Sequence, residues 1–139
     1  MKTFEEYVHE GIAKKQSPDL SRSRALAKEA EASYAVLQSS LKAVKLSDEN
    51  ANHIIKNAYD IIMELLRSKM LAQGYNTTGK GAHEAEVSYM HKLGFSTTDI
   101  EFTDKLRYYR NGIVYYGKNF DMAYAKKVLA FLEKIRKNK

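Results

Sequence analysis

The 139-residue chain contains no cysteine, which excludes disulfides, thiol catalysis and cysteine-ligated zinc. It has a single proline, Pro18, and seven glycines, so little in it interrupts long helices. No apolar run approaches the roughly 18 residues that a membrane-spanning helix needs. The opening Met1-Lys2-Thr3-Phe4-Glu5-Glu6 lacks the pattern of a signal peptide, so a cytoplasmic protein without membrane association is expected. Neither a Walker phosphate loop nor an HExxH zinc motif occurs. His9, His53, His83 and His91 form no i, i+4 pair, and neither a metal nor another cofactor is expected.

What is present is positive charge and helical periodicity. The net charge of +6 makes a polyanion such as nucleic acid a natural partner. The length fits one domain, residues 1–139, with its own hydrophobic core. Apolar residues recur at spacings of three and four. Phe4, Tyr7, Val8 and Ile12 predict a first helix over about 3–15, broken by Ser17-Pro18-Asp19. Leu26, Ala30, Tyr34, Leu37, Leu41 and Val44 predict a second over about 19–44.

Ser47 is a candidate cap for a third helix over about 48–72, with Asn50 in the position a capping box gives to Glu or Gln. The apolar Ile54, Ile55, Ala58, Ile61, Ile62, Leu65, Leu66 and Met70 mark it as the central core helix. A glycine-bearing loop over about 74–82 precedes a short helix over about 83–93. Two more helices are predicted over about 98–116 and 120–137, and no strand is expected. The expected fold is an all-α, up-and-down bundle of five to six helices, with short connections setting neighbouring long helices antiparallel.

The helix over 98–116 carries the richest chemistry. Arg107, Asn111 and Tyr115 recur at spacing four and share one face, with Arg110 about 60° to one side. A forked cation, an amide and phenols on one stripe suit phosphate and base. The structural alternative is a packed helix whose arginines pair with Asp99, Glu101 or Asp104. Gly79-Lys80-Gly81 ahead of a helix is weakly phosphate-friendly, and Lys80 and His83 lean toward the same pocket, against the alternative of a plain loop. The carboxylates Glu5-Glu6, Glu29-Glu31 and Glu84-Glu86 read as solvated charge. The cations of the last helix, Lys126, Lys127, Lys134, Arg136 and Lys137, are either solubilising or RNA-facing.

Arg110-Asn111-Gly112-Ile113-Val114-Tyr115 resembles the motif of HEPN domains, in which Arg, usually followed by Asn, precedes a His by several residues. The resemblance extends to Ala27-Lys28-Glu29-Ala30-Glu31-Ala32 on the second helix, to Gly74-Tyr75, to the His83 segment and to the order of the helices. It implies a helical homodimer whose motif helices face each other across a composite cleft. It also implies RNA or nucleotide as ligand, and pairing with a small nucleotidyltransferase of the MNT type as toxin and antitoxin. The motif histidine is Tyr115 here. Phenol, with a pKa near ~10, is a poor general base at neutral pH, whereas imidazole near ~6.5 is a good one. The expectation is therefore a nucleotide or RNA phosphate bound by Arg107, Arg110, Asn111, Tyr115, Lys80 and His83, without efficient cleavage. Two rivals stand beside it. One is an active metal-independent ribonuclease toxin using Arg110 and Tyr115, or His83, as catalytic residues. The other is a non-catalytic partner of a nucleotidyltransferase. A tyrosine that some family members carry two residues beyond the histidine corresponds to Gly117, so its modification does not carry over.

Overall fold

Side-chain caps set most of the helix starts. A computed structural model describes residues 1–138 and contains α1 (Phe4–His9), α2 (Leu20–Ala43), α3 (Ala51–Ala72), α4 (Ala82–Ser88), α5 (Thr97–Tyr116) and α6 (Met122–Lys137). Thr3, Asp19, Ser96 and Asp121 each accept the backbone N–H three residues on, opening α1, α2, α5 and α6. Ser47 does not cap α3 as expected. Asn50 precedes that helix, and its Oδ1 accepts from the Ser47 N–H at 2.9 Å, which is the backward-reaching half of a capping box.

The long helices form an up-and-down, all-α bundle. Ser23 on α2 and Ser68 on α3 exchange hydrogen bonds, each hydroxyl donating to the other's carbonyl at 2.7 Å, so the start of α2 lies by the end of α3. Asn52 meets the segment before α6, and Lys69 reaches the Asn138 carbonyl, so α6 runs parallel to α3. Lys134 bonds Asp99 at 2.8 Å while Tyr109 packs on Phe120, so α5 runs against α6. α3 is central, as its pattern predicts, burying Ile54, Ile55, Ala58, Ile61, Ile62, Leu66 and Met70, with Leu65 only partly covered.

Two expectations change at the amino-terminal end. The first helix stops at His9 rather than near residue 15, because Gly11 turns the backbone at φ +80°. The chain then forms a strand, β1 (Ala13–Lys15), antiparallel to β2 (Tyr75–Thr77) in what was expected to be loop. Gly74 makes the approach possible: its φ is +87°, and a Cβ there would lie 2.7 Å from the Gln16 carbonyl oxygen. The expected helix over 83–93 is α4 followed by a 3-10 turn over Tyr89–His91. A second small core of Phe4, Tyr7, Ala13, Met70, Ala85 and Tyr89 fastens this cap to α3.

Candidate functional site

The capping layer places residues 79–84 beside α3 and α5. Glu86, expected to be solvated, is instead 2% exposed and accepts from Arg67 Nε at 2.5 Å and Nη2 at 3.1 Å. This pair ties α4 to α3. Leu106 and Thr103 bury the earlier turns of α5 in the core, while Arg107, Arg110 and Asn111 line a cleft with the loop.

Lys80, His83, Arg107, Arg110, Asn111 and Tyr115 all line one cleft of about 510 Å³, with Tyr59, Gly79, Gly81, Ala82 and Glu84. The six residues singled out in the sequence thus come together, and from a single chain. Arg110 and Tyr115 lie about 140° apart on an ideal helix, too far for one helix face. Both nevertheless line this one cleft, so that angle does not itself require a dimer. A larger groove of about 680 Å³ lies between the amino terminus and α5, lined by residues such as Phe4, Lys92 and Ile100, and holds none of the six.

Both arginines have local partners. Arg107 Nε and Nη2 both lie 3.1 Å from Asp104, the alternative pairing the sequence allowed, and Nη1 is 3.9 Å from Glu84. The Arg110 guanidinium sits 5.6 Å above the Tyr59 ring, with Nη2 3.7 Å from Asp60. The Arg110 Nε is buried and meets no hydrogen-bond partner among the described residues. Lys80 forms no ion pair among the described residues and is exposed. The Tyr59 hydroxyl lies 3.4 Å from His83 Nδ1. Burial pushes the Tyr59 phenol far above its ordinary range, so it stays protonated and can donate to that nitrogen.

Tyr108, Tyr115 and Tyr116 are 69%, 70% and 78% exposed. All three are large aromatic side chains that α5 leaves open to solvent. Tyrosines away from the cleft serve packing. Tyr75 and Tyr89 pack on Phe4, and Tyr34 carries Arg136 above its ring. The basic side of α6 is partly spent on internal pairs, Lys134 with Asp99 and Arg136 with Glu31 and Glu133.

Sequence reasoning missed Tyr59, Asp60 and Glu84. Tyr59 sits within the apolar pattern of α3, and nothing local separates a core tyrosine from one under an arginine. Among the described residues no group of three or more His, Asp or Glu side chains could hold a metal ion. No helix is long and apolar enough to cross a membrane among those residues. Comparison with known proteins found no matching family model, no similar curated protein and no similar solved structure.

Proposed function

We propose that the cleft binds the phosphate of a nucleotide or RNA, with Arg110, Arg107 and Lys80 as the anion-binding cations. The observation that carries this is Arg110. Its guanidinium lies over Tyr59 on the cleft wall with only the 3.7 Å Asp60 contact beside it among the described residues, so its fork can take an anion. Asn111 and Tyr115 supply neutral hydrogen-bonding groups beside it. Binding is favoured over cleavage because Tyr115 stands where the resembled HEPN motif keeps histidine. The expected homodimer has one surface suited to it, the exposed Tyr108, Tyr115 and Tyr116 of α5, which a second copy would cover.

The test is binding of 5′-AMP and of a labelled single-stranded RNA to the protein and to Arg110→Ala. Loss of binding in the variant is expected, and equal binding by both overturns the reading. Light scattering on Tyr108→Glu and Tyr115→Glu checks the dimer. A wild-type monomer removes that part of the reading.

One observation favours a second reading, metal-independent RNA cleavage: His83 brings an imidazole to the same cleft. RNA cleavage in EDTA that disappears in both His83→Ala and Arg110→Ala would establish it, and intact RNA would end it.

A further inference from the structure

We propose that the Glu84 carboxylate marks the phosphate subsite of the cleft: it is the resident counter-ion of Arg107 that a ligand phosphate displaces. This inference rests on the phosphate-binding reading above. Glu84 is the one acid among the residues lining the cleft, against the three cations Lys80, Arg107 and Arg110.

The two carboxylates at Arg107 differ in kind. Asp104 comes from the preceding turn of α5 and lies 3.1 Å from both Nε and Nη2. It orients the guanidinium and leaves the Nη1 edge facing the loop. Glu84 meets that edge at 3.9 Å, near the limit of an ion pair, from a half-exposed side chain on another helix. It makes no hydrogen bond among the described residues. A long, partly solvated contact of this kind holds little free energy and is readily exchanged. A phosphate presents the same anionic oxygens to a guanidinium and can engage more than one cation at once.

Asp60 near Arg110 differs again. Its Nη2 contact is 3.7 Å, but Asp60 lies on the exposed side of α3 and does not line the cleft. Glu84 is therefore the group whose displacement opens the cationic wall. It lowers affinity for any phosphate-bearing ligand while locating where that phosphate sits.

The experiment is calorimetric titration of 5′-AMP into the full chain at low salt, with Glu84→Gln, Asp104→Asn and Arg107→Ala. Both carboxylate variants remove one negative charge near Arg107, so a diffuse electrostatic effect would move them alike. A resident counter-ion predicts about five-fold or tighter binding for Glu84→Gln, from loss of a like charge within several ångströms of the ligand. It predicts no gain for Asp104→Asn, which loosens the guanidinium. In an Arg107→Ala background the Glu84→Gln gain should vanish. If Arg107→Ala does not fold, the contrast between the two carboxylate variants decides alone. Unchanged or weaker binding by Glu84→Gln, or an equal gain in Asp104→Asn, overturns the inference. Binding that depends on Arg110 but ignores Glu84 sinks this inference and leaves the cleft standing. No binding of AMP or RNA by the wild type or Glu84→Gln removes both.

Discussion

Glu86 and Arg67 form a buried ion pair, with the carboxylate 2% exposed and the guanidinium donating to it through Nε and Nη2. Two residues away on the same short helix, Glu84 faces the cleft. One carboxylate fastens α4 to α3, and the other lines the cleft. Removing Glu86 strands Arg67 under partial cover. Glu86→Ala is expected to cost about 2–3 kcal/mol, below the ~3–5 of a fully enclosed pair because Arg67 keeps some solvent contact. Urea denaturation checks the value. The double variant Arg67→Met, Glu86→Leu should recover most of the loss, since apolar replacements leave no stranded charge.

Tyr124 supplies a pH prediction. Burial, with Tyr109 beside it, pushes its phenol up to about 12, and burial does the same for Tyr89. A group whose folded pKa is raised loses protons first in the unfolded chain. Stability from these residues is full below about pH 10 and falls as pH rises toward 12. The Tyr124 hydroxyl is also buried without a hydrogen-bond partner among the described residues. Tyr124→Phe should therefore be neutral or stabilising at pH 7 and should flatten the alkaline fall. Melting temperatures between pH 7 and 11.5 test both halves.

Gly74→Ala should destabilise by about 1–3 kcal/mol, from a positive φ and a Cβ facing the Gln16 carbonyl. Gly79→Ala shares the positive φ but meets nothing within 4 Å, so its cost should be smaller. Parallel denaturant titrations of the two variants separate strain from clash.

Arg110→Lys keeps the charge but loses the planar fork above Tyr59. Binding of 5′-AMP should fall about tenfold, the size of one lost charge-assisted hydrogen bond. An unchanged affinity would mean that only charge matters at this position.

The fold was largely legible because helix signals are local. Apolar residues at spacings of three and four place α2, α3 and α6 to within a few residues, and Asp19 and Asp121 stand where α2 and α6 begin. The first helix was overextended because Ala13 and Lys14 suit a helix by propensity. What makes them strand is pairing with Thr77 and Asn76, more than sixty residues away. The fate of Glu86 was hidden for the same reason, since its partner is on another helix.

The chain by itself determined a bundle of long helices and a polar stripe on α5, because periodicity and capping act within a few residues. It also supplied Arg107, Arg110, Asn111 and Tyr115 as neighbours on that stripe. Only the tertiary structure decided that Lys80, His83 and Glu84 join them in one cleft and that Tyr59 lies beneath Arg110. Those contacts depend on the β1–β2 pairing and the Arg67–Glu86 ion pair, interactions between segments distant in sequence, which no local pattern encodes.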